Sequence, residues 1–252
     1  MKTIIFIHGN SQSAKIWDNI IHHQAFAGFR TMAINLPGHG GNLPEGWQDE
    51  DYTIPNKGMW LTSFLERAQL EEYILVGLSY ASNIIGEMSA ALGCKGIVLI
   101  GPTILGGPIG PEQVLLPNPF GQALMMAEVD MDVLEGWIRT QMLYPDEDVY
   151  SQMKMDYLQT QPGVRTTIPT VLANQALGDE IDRLFSFQVP IMVISGREEK
   201  NAVPGYLDNT MLAANVWRGN TIIVSDAAHC VHLDQPELFV QLLLAFAGDV
   251  FK

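Results

Sequence analysis

The feature that most constrains the fold is an alternation of short apolar runs with segments of helical spacing. Each run is about five residues long and is bounded by Gly, Pro or Asn, as expected of a buried strand. The six runs are residues 3–7, 31–35, 73–76, 96–100, 191–195 and 221–225. Strands that alternate with helices pair in parallel under helices on both faces. The pattern predicts an α/β fold with about six mainly parallel strands.

Helical spacing is found in the segments between the runs, and several of these segments open with proline in the first turn. The candidates are residues 16–27, 55–68, 82–92, 204–213 and 236–246. Before the last of them, Asp234 and Glu237 stand three residues apart, which is the spacing of a capping box. We therefore expect the final helix to begin within this tetrapeptide.

The alternation breaks once, between residues 104 and 187. This stretch opens as a loop rich in Pro and Gly and continues as helical segments without a strong strand. We expect it to form a helical cap over a core built from residues 1–103 and 188–252. Six of the 12 methionines fall in the cap. Methionine adapts to flexible apolar ligands, but at helical spacing it more often only fills a core.

Charge and composition limit the partners of the chain. With 28 acidic and 14 basic residues, the formal net charge is −14. Such a protein repels phosphate backbones and anionic lipid surfaces, so neither nucleic acid nor membrane is an expected partner. No apolar run approaches the ~18 residues of a membrane span. A hydrophobic content of 47% lies far from the disordered regime.

The cysteine count points to a reducing compartment. Cys94 and Cys230 are too few for a disulfide framework and lack the paired spacing of a zinc site. The N-terminal apolar stretch is too short for a signal peptide. We expect a cytoplasmic protein, a monomer or homodimer, that uses no metal and no cofactor.

One serine stands in a context that suggests a nucleophile. The pentapeptide from Gly77 to Ala81 follows an apolar run directly and leads into a helical segment, so Ser79 lies on a strand-to-helix turn. Small residues on either side of the serine let such a tight turn form, and the turn lifts the hydroxyl above the sheet edge. Serine in a Gly-rich turn is common, so the motif alone is weak evidence.

A serine hydroxyl needs a base to act as a nucleophile, and the base needs an orienting group. Of the six histidines, His229 and His232 follow the last predicted strand, at the edge where open α/β sheets place their sites. We expect His229 to be the base. The loop after the strand at 191–195 offers two adjacent carboxylates, Glu198 and Glu199, as the orienting group.

These residues, taken together, resemble the α/β-hydrolase superfamily along nearly the whole chain. The landmarks appear in the family's order: Phe6-Ile7-His8-Gly9 with Trp17 beyond it, Leu36-Pro37-Gly38-His39-Gly40, the Gly77 to Ala81 elbow, the insertion, the Gly196 to Pro204 acid loop, and the His229 loop ending in Gln235-Pro236-Glu237. The likeness implies an α/β-hydrolase fold. The first predicted strand begins at residue 3, so we expect the antiparallel hairpin that opens many family members to be missing, as in the plant methylesterase and hydroxynitrile lyase branch.

The resemblance also implies a role for each site residue. Ser79 is the expected nucleophile, His229 the general base and then acid, and Glu199 the triad acid, three residues after the loop glycine. The backbone N–H groups of Asn10 and Tyr80 are the expected oxyanion hole. The family's acid is usually Asp, so Glu199 is a departure, and Glu198 remains the alternative.

The identity of the nucleophile limits the classes of reaction that are possible. Within the superfamily, dehalogenases and epoxide hydrolases need a carboxylate where this chain has Ser79. A serine with an oxyanion hole suits acyl transfer to water, so the expected substrate is a small-molecule carboxylic ester or thioester, cleaved through an acyl-enzyme. Two alternatives stay open. One is carbon–carbon bond hydrolysis or a lyase reaction on the same residues, and the other is a non-catalytic small-molecule receptor.

Overall fold

A single six-stranded parallel sheet forms the centre of the protein. The computed structural model describes residues 1–144 and 146–252. The strands are β1 (Lys2–Ile7), β2 (Arg30–Ile34), β3 (Glu72–Leu78), β4 (Cys94–Ile100), β5 (Ile191–Gly196) and β6 (Ile222–Val224). They lie in the order β2-β1-β3-β4-β5-β6, and every neighbouring pair is parallel. The predicted α/β class and strand number are therefore confirmed.

The central strands are apolar on both faces, which is why helices cover the sheet on both sides. Along β1, Ile4 and Phe6 face one hydrophobic cluster, whereas Ile5 and Ile7 face the other. All four side chains are completely buried. This two-sided core fixes the register of the strands, because a shift by one residue would exchange the two faces.

The described residues form ten α-helices. They are α1 (Asp18–Ile21), α2 (Ile54–Ala68), α3 (Tyr80–Gly86), α4 (Pro111–Val114), α5 (Met131–Arg139), α6 (Glu147–Gln159), α7 (Gly163–Ala173), α8 (Glu180–Ser186), α9 (Val231–Asp234) and α10 (Pro236–Val250). Among the described residues, no helix combines the length and the apolar character needed to cross a bilayer.

Two predicted helices are replaced by short turns. The segment 16–27 holds only α1, between 3₁₀ turns at Ala14–Trp17 and Gln24–Phe26. The segment 204–213 forms two 3₁₀ turns, because Gly205 enters the left-handed region and the Asp208 carboxylate accepts the Thr221 N–H and hydroxyl. Side-chain bonding of this kind competes with helix formation.

The third predicted helix, 82–92, begins earlier and ends sooner than expected. The observed helix α3 covers Tyr80–Gly86. It ends where the Glu87 carboxylate turns away to accept hydrogen bonds from Arg183 Nη1, at 2.7 Å, and from the Gly178 N–H, at 2.5 Å. These contacts attach the end of the helix to the segment that leads back from the predicted cap.

The capping box predicted before the last helix is wrong, although the helix does begin at Pro236. Asp234 is the last residue of α9, and its carboxylate accepts N–H groups of Leu143, Tyr144 and Ala228 instead. Gln235 occupies the N-cap position without a side-chain cap bond. The aspartate is thus used to tie the loop before α9 to the predicted cap.

Between β4 and β5 the chain forms α4 to α8, in the stretch predicted as the cap. At its start, the buried carboxylate of Glu180 accepts the Leu105 N–H at 2.6 Å and the Asn83 amide at 2.8 Å. Helix α8, which begins with Glu180, packs against α3. The division at residues 104 and 187 stays a prediction.

Candidate active site

Ser79 lies at the turn between β3 and α3, in a backbone conformation that few side chains adopt. Its φ is 52° and its ψ is −117°. The Ser79 N–H donates to the Ile100 carbonyl at 2.8 Å, which holds the turn against the end of β4. A Cβ at Gly77 would lie 2.6 Å from Ile85 Cδ1, so a larger residue at the first position of the motif would displace the Ile85 side chain. Ala81 is accommodated and fully buried.

A second serine, Ser82, stabilises this turn by hydrogen bonds. The Ser82 hydroxyl donates to the Ser79 carbonyl at 2.5 Å and accepts the Thr103 N–H at 2.9 Å. The strained turn is therefore held by β4, through Ile100, and by the segment just after β4, through Thr103. Strain of this kind persists only where the surroundings fix it, and it is concentrated at functional sites.

Glu199 and His229 form a buried hydrogen-bonded pair beside the turn. Glu199 Oε2 lies 2.7 Å from His229 Nδ1. The other oxygen, Oε1, accepts the N–H groups of Lys200 and Asn201, each at 2.8 Å. Burial alone would raise the pKa of the Glu199 carboxyl, but the imidazole and the two N–H groups outweigh it and hold that pKa below its usual value. Glu199 is therefore ionised at neutral pH and fixes the orientation of the ring.

The loops that carry this pair fit closely together. Gly101 has φ 50°, and a Cβ there would lie 2.7 Å from His229 Nδ1. At Gly196 a Cβ would lie 2.1 Å from the Ala227 carbonyl oxygen. Glu198, the alternative triad acid, accepts the Ala227 N–H at 3.1 Å and donates its own N–H to the Ala227 carbonyl. It joins the acid loop to the histidine loop and does not contact the imidazole.

Asn10 and Tyr80, the expected oxyanion donors, face the same cavity as Ser79 and His229. Tyr80 is the first residue of α3, and the first N–H groups of a helix have no intrahelical acceptor. Ser11, which follows Asn10, has φ 55° and is completely buried. The structure thus brings together all five residues that the sequence nominated.

Two buried histidines hold the loop that contains Asn10. His8 Nε2 accepts the Leu36 N–H at 3.1 Å, and His39 Nε2 accepts the Ser11 N–H at 3.2 Å. Each ring must therefore be neutral with its proton on Nδ1, which lies near a carbonyl oxygen. Burial lowers the pKa of His8 to about 4 and the pKa of His39 well below its usual value.

The cavity above Ser79 has a volume of about 230 Å³ and a mostly apolar wall. Residues from the predicted cap supply most of that wall: Leu105, Pro111, Leu115, Leu116, Leu124, Met125, Trp137, Ile168, Leu172 and Leu177. Polar side chains come from Asn83, Asn118, Gln141 and Asn201. Among the described residues that line it, none is a lysine, arginine, aspartate or glutamate.

The sequence did not show what the cap arginines and methionines do. Arg183 pairs with Glu87 at 2.7 Å, and Arg139 lies over the Tyr150 ring. Arg165 is buried and bonded to protein atoms. Of the six cap methionines, Met125 is the one found on the described cavity wall. Helical spacing alone could not separate a wall residue from an exposed one.

In the described part of the chain, no cluster of three or more His, Cys, Asp or Glu side chains is arranged to hold a metal ion. Both cysteines are buried and free.

Comparison with known proteins shows the family. A sequence model of the alpha/beta hydrolase family matches residues 4–242, so the chain belongs to the alpha/beta hydrolase family. A haloalkane dehalogenase of Mesorhizobium japonicum is 33% identical over 88 residues, which cover 35% of this chain and 27% of the relative. The match therefore spans less than a third of that relative's length.

Solved structures agree on the fold over the full chain. The N-acyl homoserine lactonase AidH, complexed with N-butanoyl homoserine, superposes with a TM-score of 0.89 at 21% identity, covering 99% of this chain and 90% of that one. A thermophilic esterase from Thermogutta terrifontis gives 0.74 at 17% identity, covering 100% and 91%. At these identities the likeness establishes the α/β-hydrolase fold.

Proposed function

We propose that the protein is a serine hydrolase that cleaves small-molecule carboxylic esters or thioesters through an acyl-enzyme on Ser79. The observation that carries this proposal is the buried Glu199–His229 pair, 2.7 Å between Oε2 and Nδ1, whose imidazole lines the same cavity as a serine on a strained turn. Since Nδ1 is committed to Glu199, Nε2 is the ring nitrogen left to exchange a proton with Ser79.

In the proposed reaction, Ser79 Oγ attacks the carbonyl carbon while its proton passes to His229 Nε2. The oxyanion of the tetrahedral intermediate accepts the backbone N–H groups of Asn10 and Tyr80. His229 then protonates the leaving alcohol or thiol as its bond to carbon breaks. In the second half, His229 takes a proton from water, the hydroxide attacks the acyl-enzyme, and the acid leaves as Ser79 regains its proton.

The cavity wall supports an uncharged, mainly apolar substrate. Its described residues include no charged side chain that could pair with a substrate carboxylate or ammonium group. Burying an unpaired charge there would be costly. The polar amides among the apolar wall residues suit a substrate with carbonyl or hydroxyl groups. Because the AidH structure carries the name of a lactonase, and a lactone is a cyclic ester, lactones belong in the tested substrate panel.

Carbon–carbon bond hydrolysis remains the second candidate, because the same three residues serve it on this fold. A non-catalytic receptor is the third, and a buried ionised carboxylate bonded to a histidine beside a strained serine argues against it. A pure binding site has no need for an activated nucleophile.

The experiment is hydrolysis of p-nitrophenyl esters from two to twelve acyl carbons, with a simple lactone and an acyl thioester alongside. Wild type and Ser79→Ala are compared. We expect Ser79→Ala to lower kcat/KM by at least ~10³-fold, and a half-ester with a free carboxylate to be a poor substrate. A folded wild type that hydrolyses none of these would refute the ester proposal and favour carbon–carbon cleavage or a receptor role.

A further inference from the structure

An arginine of the predicted cap contacts the loop that contains Asn10. Arg165, on α7, is 3% exposed. Its Nη1 donates to Ser11 Oγ at 3.2 Å. Ser11 Oγ in turn donates to Asn10 Oδ1 at 2.7 Å. The guanidinium is thus joined to Asn10 by a chain of two hydrogen bonds, each with a defined donor, since a guanidinium can only donate.

Arg165 also donates three hydrogen bonds to backbone carbonyls of the cap segment. Nε donates to the Met126 carbonyl at 3.0 Å, Nη2 to the Ala127 carbonyl at 2.6 Å, and Nη1 also to the Tyr157 carbonyl at 3.3 Å. The guanidinium carbon lies 4.1 Å from the centre of the Tyr157 ring. One side chain therefore gathers three parts of the cap and connects them to the loop after β1.

No carboxylate within the described residues forms an ion pair with Arg165. A buried guanidinium is costly unless its charge is paired or its donors are satisfied. Here three neutral carbonyls and a hydroxyl accept four hydrogen bonds from the guanidinium, which stabilise its charge next to the loop.

The loop itself needs external support. Ser11 has φ 55°, a left-handed conformation that is unfavourable for residues other than glycine. Its N–H is fixed by His39, and within the described residues its hydroxyl bonds only to Asn10 and Arg165. An oxyanion donor must be held in place before the reaction, because reorienting it during the reaction removes its benefit.

We infer that Arg165 is a positioning residue for the oxyanion hole, acting through Ser11 on Asn10, so that a docked cap completes the catalytic loop. The inference rests on the proposed function, in which the Asn10 N–H stabilises the oxyanion. Arg165 does not touch the substrate: it is absent from the described cavity wall. Its effect falls on the transition state and leaves ground-state binding largely unchanged.

The key variant is Ser11→Ala, which removes the linking hydroxyl but keeps every bond between Arg165 and the cap. Arg165→Met, of similar length, removes the guanidinium. We expect each variant to lower kcat about 10- to 100-fold with KM changed less than ~3-fold, because an oxyanion donor is displaced and not removed. The double variant should be no worse than Arg165→Met alone, since both changes break one chain of contacts.

A boronic acid that forms a tetrahedral anionic adduct with a serine gives a second readout. Its inhibition constant should rise in Ser11→Ala by the same factor as kcat falls. Arg165→Lys keeps the charge but not the fork of donors, so it should recover only part of the activity. Circular dichroism and thermal unfolding show whether each variant is folded. If Arg165→Met does not fold, the result for Ser11→Ala decides the test.

Two results would overturn the inference while leaving the ester proposal intact. One is Ser11→Ala with wild-type kcat and boronate affinity. The other is a rise in KM at constant kcat in both variants, which would make Arg165 a fastener of the cap. A wild type that neither hydrolyses esters nor binds the boronate would instead refute the proposed function itself, and this inference with it.

Discussion

The sheet edge around Ser79 and the predicted cap are held by different kinds of contact. At the edge, Glu199 and His229 are fixed by backbone N–H groups and by glycines that leave no room for a Cβ. The cap contributes an apolar wall, fastened by a few side chains such as Arg165 and Asp234. The comparison suggests that the edge carries the reacting groups and the apolar cap wall selects the substrate, while Arg165 connects the cap to the catalytic loop.

The largest effect is expected from removing the base at the edge. His229→Ala should lower kcat/KM for esters by ~10³- to 10⁴-fold, because triad members act as a unit. The matched control is His22→Ala, an exposed histidine that should leave the rate unchanged. Steady-state kinetics on one p-nitrophenyl ester measure both. If the two variants had equal activity, the chemistry would not belong to this edge.

Acid should destabilise the folded protein through its buried neutral histidines. Burial lowers the pKa of His8 to about 4 and that of His232 to about 3. The unfolded chain therefore takes up protons below pH 6.5 that the folded protein does not, and stability falls as pH falls through this range. The loss should reach roughly 3 kcal/mol per histidine near pH 4.

Urea unfolding at several pH values between 7 and 4 measures this dependence. His8→Gln, which keeps an acceptor and a donor at that position, should flatten the slope by about one proton. His22→Ala should leave the slope unchanged. Equal slopes in wild type and His8→Gln would show that the neutral ring does not control the acid response.

The two adjacent carboxylates of the acid loop should have different effects, because Glu199 orients the His229 imidazole and Glu198 only joins two loops. Glu199→Gln should cost ~10²-fold in kcat, because the amide cannot stabilise the imidazolium. Glu198→Gln keeps an oxygen that can accept the Ala227 N–H, so it should stay within ~3-fold of wild type. The reverse result would assign the acid to Glu198. Stopped-flow or steady-state rates near pH 8 give the comparison.

Changing the cap wall should alter selectivity with little effect on the chemistry. Leu124→Trp places a larger side chain on the wall and should reduce kcat/KM for long acyl chains by ~10-fold. Hydrolysis of the acetate ester should change by less than ~3-fold. Met155→Trp, at a position that is 48% exposed, is the control. A uniform loss for all chain lengths would mean that the cap wall does not act through substrate selection.

The sequence predicted the sheet well because each central strand is an uninterrupted apolar run between turn residues. It also brought together Ser79, Glu199 and His229, since loops after parallel strands share one edge. The predictions of helix ends were wrong where side chains bond to backbone groups that are distant in the sequence. Asp234 serves N–H groups of residues 143 and 144 instead of a helix cap, and Glu87 ends α3 early by bonding to Gly178.

The cap was the least predictable region for the same reason. Its contacts are long-range and few of them follow a periodic pattern. Arg165, for example, donates to carbonyls of residues 126, 127 and 157 and to Ser11, all of them more than seven residues away in the sequence. Local spacing contains no information about such partners.

The most direct test of the account is labelling with a fluorophosphonate, in which a nucleophilic serine attacks phosphorus and fluoride leaves. Peptide mass spectrometry of the labelled protein should find one phosphonyl group, on Ser79, with loss of ester hydrolysis in the same proportion. Ser79→Ala should take up no label. An ester-hydrolysing protein that is labelled elsewhere, or that loses no activity when Ser79 is modified, would contradict the assignment of Ser79 as nucleophile.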